Sequence, residues 1–209
     1  MGFYDKYILP HIINCGCGTK PMQRQRQKIV PQASGEVLEI GIGSGLNLPF
    51  YDPRQVSRVI GLDPSESSWK LAAERVAKIE IPVEFIGLPG EQIPLPDDSV
   101  DTVLVTYALC TIADPGQALL EMRRVLRPTG KLLFCEHGKA ADVSVQRWQN
   151  RINGIWRRIG GGCNLNRDIP KILAQAGFEV NWLEQMYLPK SPRIVSYNYW
   201  GSALGAKQA

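Results

Sequence analysis

Long apolar runs are missing from this 209-residue sequence, and none approaches the roughly 18 residues that a membrane-spanning helix needs. The first residues, Met1 to Lys6, lack the order of positive charge, apolar run and small residues that marks a secretory signal. Lysine and arginine form no long run and the net charge of +4 is mild, so nucleic acid is not an expected partner. Histidine is scarce, with only two residues, and the five cysteines are an odd number that implies no disulfide framework. Cys15 and Cys17 invite a metal reading, but no second Cys or His pair has matching spacing, so no metal is expected. Repeats, low-complexity segments and interdomain linkers are also absent. A reduced, cytoplasmic, single-domain protein is the expectation. What is present fits it: 44% hydrophobic and 21% charged residues are ordinary for a globular chain, and the length suits one α/β domain.

The most informative stretch runs from Val37 to Gly45, VLEIGIGSG. Its apolar half predicts a short buried strand, and Gly41, Gly43 and Gly45 predict a sharp turn at the strand's C-terminal end. Without a Cβ, such a turn lets a bound molecule approach the backbone closely. A second apolar run, Arg58 to Asp63, ends in an acid 22 residues past Gly41. An acid placed there accepts hydrogen bonds from both hydroxyls of a ribose. The dinucleotide fingerprint G-x-G-x-x-G/A requires glycine or alanine at position 46, where this chain has Leu46. The pattern is instead G-x-G-x-G, preceded by Glu39. A carboxylate in that place repels a pyrophosphate and attracts a cationic amino acid, which favours S-adenosylmethionine (SAM) over NAD.

The rest of the chain reads as alternating strands and helices. Residues 1–36 form a helical N-terminal arm, with Pro10 as a break, Cys15 and Cys17 in a turn, and a second helix from Met22 to Val30. A helix follows Asp63 and Pro64, running to Lys78 and burying Trp69, Ala72, Ala73 and Val76. Strands are expected at 82–86, 102–106 and 131–137, with a helix at 115–126 stopped by the segment 127–130. A helix from Asp142 to Ile159 carries Val145, Trp148, Ile152, Ile155 and Ile159 on one side and four arginines elsewhere. The simplest reading packs that stripe on the domain; the sharper one makes it a lid or a face on lipid headgroups. A Gly160–Gly162 hinge, a helix at 166–176 and closing strands near 178–184 and 193–199 complete the chain.

Glu39, the glycine turn and Asp63 resemble motif I and the ribose acid of the class I SAM methyltransferases, and the element order resembles their seven-stranded Rossmann-like α/β fold, here spanning 37–209. The resemblance implies SAM as cofactor and S-adenosylhomocysteine as product. It implies that Glu39 lies near the methionine ammonium, that Gly41, Gly43, Gly45 and Asn47 border the methionine part, and that Asp63 with Pro64 holds the ribose. It places Leu88, Gly90 and Glu91 at the adenine edge, where Pro89 and Gly90 depart from the usual acid and small residue. The block from Asp98 to Gly130 looks like the quinone C-methyltransferases. Ser44 to Asn47, Phe50-Tyr51, Gly90-Glu91, Leu109-Cys110, Cys135 to His137 and Gly162 to Leu165 are closer to the alkyl thiol S-methyltransferases. Animal members of that group carry an N-terminal hydrophobic anchor with no counterpart here, so membrane residence of that kind is not expected.

The acceptor implied is a small molecule, most simply a thiol. A thiol is partly ionised at neutral pH, so a modest base or a positive field completes its activation. His137, following a strand on the ligand edge, is the first candidate base; capping the strand end is its other reading. Tyr107 either orients the nucleophile and borders the cofactor or simply packs. Cys110, Cys135 and Cys163 read as small buried residues rather than participants, and Asn164 as a polar pocket residue. The alternatives are a lipid or quinone-precursor methyltransferase, with peripheral membrane contact through the tryptophan and arginine face, and a non-catalytic SAM-binding module. An amine motif of the N-P-P-Y type is absent at Thr106 to Leu109, which disfavours RNA methylation. Oligomeric state is not legible.

Overall fold

The structure is a computed structural model and describes residues 3–205, so positions 1, 2 and 206–209 of the expected arm and domain lie outside the described residues. Seven strands form one sheet: β1 (Gly35–Ile40), β2 (Val56–Leu62), β3 (Val83–Ile86), β4 (Val100–Thr106), β5 (Leu126–His137), β6 (Phe178–Tyr187) and β7 (Tyr197–Gly205). Their order is β3-β2-β1-β4-β5-β7-β6, with β7 antiparallel to both neighbours and the rest parallel. The central strands are covered on both faces, which is why they read as continuous apolar runs such as Val103, Leu104 and Val105. The chain leaves β1 outward to β2 and β3, then returns to β4 on β1's other side. That reversal opens a crevice beyond the carboxyl ends of β1 and β4, where open α/β sheets place their ligands.

The arm comprises α1 (Phe3–Tyr7), α2 (Leu9–Cys17) and α3 (Lys20–Ile29). Pro10 stands in the first turn of α2, where its missing N–H costs nothing. Cys15 and Cys17 therefore lie in the last turn of a helix, not in a loop. The helix expected after Pro64 is two pieces, α4 (Glu66–Lys70) and α5 (Ala73–Val76). Ser65 caps the first, accepting the Ser68 N–H. Tight bonds from Leu71 to Ser68 and from Ala72 to Trp69 then turn the chain, leaving Ala72 buried and Ala73 exposed. Helix α6 (Pro115–Val125) ends directly in β5, whose irregular start at Leu126 absorbs the expected stop at 127–130. After α8 (Ile169–Gln175), residues Arg193–Ser196 form a single turn (α9), so the last strand begins at Tyr197 rather than Arg193.

Helix α7 (Val143–Ile159) departs from its simplest reading. Its inner face carries buried Gln149, with Val145, Ile152 and Trp156 half-buried. The Gln149 amide donates to the carbonyls of Gly138 and Ile194 and accepts the Ala140 N–H. Trp148, Ile155 and Ile159 are 57%, 67% and 55% exposed. The apolar stripe is wider than the face the domain covers.

Candidate active site

The glycine turn leaves β1 with three left-handed residues, Gly41 (φ 70°), Gly43 (φ 49°) and Gly45 (φ 71°). At Gly41 a Cβ would stand 2.4 Å from the Ala108 Cβ, so the turn is pressed against the loop that follows β4. At Gly43 a Cβ would meet only the Asp63 carboxylate and the Gly41 carbonyl, at 3.7 and 3.8 Å. The side of the turn facing Asp63 is thus open to a ligand. Asp63 accepts the Gly43 N–H at Oδ2 (3.0 Å) and the Ser65 N–H at Oδ1 (2.7 Å). Each oxygen keeps a lone pair, which matches the two hydroxyls of a ribose. Burial raises the Asp63 pKa despite these two bonds.

Glu39 lies beneath the turn in a buried polar knot. Its carboxylate accepts Asn47 Nδ2–H (2.9 Å) and the Tyr51 hydroxyl (2.6 Å). Asn47 also donates to Thr106 Oγ1 and accepts Arg26 Nε–H, both at 2.9 Å, so every polar atom of its amide is engaged within the protein. Arg26 further donates to the Cys17 carbonyl at 2.7 Å and lies 5.0 Å from the centre of the Tyr107 ring. Burial pushes the Glu39 carboxyl up to about 7, against the bonds from Tyr51 and Asn47. Its folded pKa is raised, so between its ordinary value and about 7 the folded state binds more protons than the unfolded one. Stability of the ligand-free protein accordingly falls as pH rises through that window and levels off above it. Glu39 contributes at most about 3 kcal/mol. Thermal unfolding between pH 5 and 8 is expected to give a falling Tm, with a shallower fall in Glu39→Gln; equal slopes would contradict it.

Across the crevice, Tyr107 adopts φ 54°, a strained conformation for a non-glycine residue. Its N–H donates to the Cys135 carbonyl (2.9 Å) and its hydroxyl to Asn198 Oδ1 (2.9 Å), while burial holds the phenol pKa well above its usual value. The next two N–H groups, of Ala108 and Leu109, donate to Glu136 Oε1 at 2.8 and 3.0 Å. Glu136 is fully buried and its Oε2 has no partner within the protein. Burial pushes this carboxyl also up to about 7.

Beside it, His137 Nε2 stands 3.1 Å from Cys163 Sγ. Cys110 completes a group whose three ligand-type atoms all lie within 4.8 Å of one another. The hinge delivers Cys163 here: Gly161 and Gly162 take positive φ, and Trp156 Nε1–H donates to Cys163 Sγ at 3.3 Å. Asn164 fastens the same loop by donating its backbone and side-chain N–H to the Cys110 carbonyl, at 2.8 and 3.0 Å. The adjoining Cys110 sulfur and burial raise the Cys163 thiol well above its usual pKa.

The contact between Gly41 and Ala108 thus joins the glycine turn, which Asp63 holds at Gly43, to the loop that begins at Tyr107. Gly90 is buried behind it, where a Cβ would stand 3.2 Å from Ile40, and Glu91 accepts the Asp114 N–H at 3.0 Å. Pro64 is exposed and Leu88 half-buried. Glu136 and His137 stand at the ligand edge where the fifth strand was expected to deliver them, whereas Arg26, Asn198 and the grouping of Cys110 and Cys163 with His137 were not anticipated. Arg26 shares a buried helix face with Ile29, a faint sign. The cluster joins positions 110, 137 and 163, a spacing that no local motif registers.

Comparison with known proteins bears on the family and the fold. A family profile described as "Methyltransferase domain" matches residues 38–134. The chain is 38% identical over 174 residues to the thiol S-methyltransferase TMT1B of Homo sapiens, covering 78% of this chain and 70% of that protein. It is 32% identical over 117 residues to a phosphatidylethanolamine N-methyltransferase of Cereibacter sphaeroides, covering 55% and 57%. The crystal structure of YcgJ from Bacillus subtilis superposes with a TM-score of 0.70 at 16% identity, covering 90% of this chain and 99% of that one, a likeness of fold.

Proposed function

The chain belongs to the thiol S-methyltransferase family of the class I SAM-dependent methyltransferases, and from that premise we propose that it methylates the sulfur of a small apolar thiol. SAM supplies an electrophilic methyl group on a sulfonium. Asp63 would hold its ribose, the turn from Gly41 to Gly45 its methionine part, and Leu88, Gly90 and Glu91 its adenine edge. Glu39, set one layer deeper, braces the turn through Asn47 and Tyr51.

The chain's remaining task is to position the acceptor and remove its proton. The observation that carries the thiol reading is His137, whose Nε2 meets Cys163 at the carboxyl end of β5 in a corner that also holds Cys110 and Trp156. A single imidazole is matched to an acceptor of pKa about 8.5, and is a poor base for an alcohol, whose pKa resembles the roughly 16 of water. Initial rates with an alkanethiol, the matching alcohol and the matching amine test this. Turnover of the thiol alone is expected. Equal turnover of the amine would overturn the sulfur assignment.

One observation favours a second reading, a lipid or quinone-precursor acceptor. Exposed Trp148, Ile155 and Ile159 lie beside Arg147, Arg151, Arg157 and Arg158 on α7. The Tyr4 hydroxyl donates to the Ile159 carbonyl at 2.8 Å, bringing exposed Phe3 and Tyr7 to the same end. Such a surface suits contact with an anionic bilayer, where an apolar acceptor collects. Among the described residues no helix is long and apolar enough to cross a membrane.

A further inference from the structure

We infer that Cys110, His137 and Cys163 form a zinc site with one open coordination position, and that this position receives the acceptor as a thiolate. The second half rests on the thiol reading above; the first stands without it. Two sulfurs and one imidazole nitrogen converge within 4.8 Å from three separate parts of the chain, the loop after β4, the end of β5 and the glycine hinge. A tetrahedral zinc, about 2.3 Å from sulfur and about 2.0 Å from nitrogen, sets its ligand atoms roughly 3.5–3.8 Å apart. The observed 3.1 Å between His137 Nε2 and Cys163 Sγ lies just inside that spacing, so small side-chain rotations admit the ion.

The surroundings supply what such ligands need. Trp156 donates its indole N–H to Cys163 Sγ, the kind of outer bond that steadies a coordinated thiolate. Asn164 holds the Cys110 backbone with two bonds. Arg167 donates to the carbonyls of Leu109 and Ile112, placing a cation beside the loop that ends at Cys110. Two thiolates and a neutral imidazole balance a divalent ion, and the nearby Arg167 offsets the charge that an incoming thiolate adds. Three protein ligands with a free fourth position are the pattern of catalytic rather than structural zinc.

Entry of the acceptor is a ligand exchange at constant oxidation state. The zinc–oxygen bond to a coordinated water breaks, a zinc–sulfur bond forms, and the S–H proton departs on the released water as hydronium. With the ion bound, His137 Nε2 is a ligand and the metal takes over the activating part given above to the imidazole, lowering the thiol pKa as it does for coordinated thiols in general. Cys110 lies on the same loop as Ala108, which touches the glycine turn, so one ligand of the cluster is tied to the wall that borders the cofactor's turn.

Cobalt(II) is the probe. Chelator-treated, fully reduced protein is titrated with Co2+, following the thiolate-to-cobalt charge-transfer band and the ligand-field bands of tetrahedral cobalt, with SAM calorimetry reporting the fold of each variant. The expected result is one equivalent bound with both band sets, displaced by Zn2+. Cys110→Ser and Cys163→Ser should each weaken binding by more than the roughly 10- to 100-fold that loss of an outer partner costs, while Cys15→Ser leaves the spectrum unchanged. Addition of an alkanethiol should shift the ligand-field bands. Absence of stoichiometric binding, bands insensitive to both serine variants, or a Cys110–Cys163 disulfide formed in place of metal binding would overturn the site. A cobalt spectrum blind to the thiol would overturn the acceptor position alone. Failure of the thiol reading itself appears separately, as no methyl transfer with cobalt bound.

Discussion

Replacing Asp63 by alanine should lower SAM affinity by roughly 100- to 1,000-fold, the largest loss at the cofactor end of the site. Hydrogen bonds to a charged group contribute about 1.5–3 kcal/mol each, and two ribose hydroxyls converge on one carboxylate. Partial exposure of Asp63 lets water replace some of that, leaving about 3–4 kcal/mol. The same substitution frees the N–H groups of Gly43 and Ser65, which loosens the turn. Both lie near the surface, so the fold should lose only about 1–2 kcal/mol. Calorimetric titration with SAM, beside a denaturation curve, separates the two effects. Affinity within threefold of the parent would show that the ribose is held elsewhere.

The second large effect belongs to Glu136. In Glu136→Ala the N–H groups of Ala108 and Leu109 lose their buried acceptor, at about 1–3 kcal/mol each. The loop they hold begins at Tyr107, whose left-handed backbone persists only while its surroundings enforce it. Its relaxation would carry Cys110 away from His137 and shift the wall against Gly41. A stability loss of about 2–5 kcal/mol should accompany a fall in kcat of about 100-fold, because a displacement near 1 Å is enough to misplace the acceptor. Glu136→Gln retains an acceptor oxygen for the same two N–H groups, so its stability should return most of the way. Urea denaturation and single-acceptor kinetics on both variants provide the check. An alanine variant within about 1 kcal/mol of the parent would mean that the loop does not depend on this carboxylate.

The cofactor half of the site was legible because its signals are local. A strand, three glycines with positive φ, and an acid at the end of the next strand are dictated by backbone chemistry within a short stretch. Glu39 and Asn47 were expected beside the turn, but their partners were not: Arg26 and Tyr51 reach them only through tertiary packing. The acceptor half has no local code. Cys110, His137 and Cys163 meet because β4 and β5 are neighbours and the hinge at Gly160–Gly162 bends back over them. Read singly, each cysteine is a small apolar residue, and nothing in the spacing of Cys110 and Cys163 announces that they meet at His137, while Cys135 is buried apart from them. Helix α7 misled for the opposite reason. Its stripe is periodic and strong, but periodicity reports amphipathicity and says nothing of whether protein or another phase covers the face. The split between α4 and α5 and the single turn before β7 are boundary effects of tight turn bonds that helix propensity does not register.

The most direct measurement is a competition in one vessel. The protein is given SAM labelled on its methyl carbon together with an alkanethiol, phosphatidylethanolamine vesicles and a quinol precursor, and the products are resolved by mass spectrometry. The proposed function predicts the label on the thioether, with none of it appearing when Asp63→Ala replaces the parent protein at low SAM. Label on the lipid nitrogen or the quinol carbon, with the thiol unmodified, would contradict it.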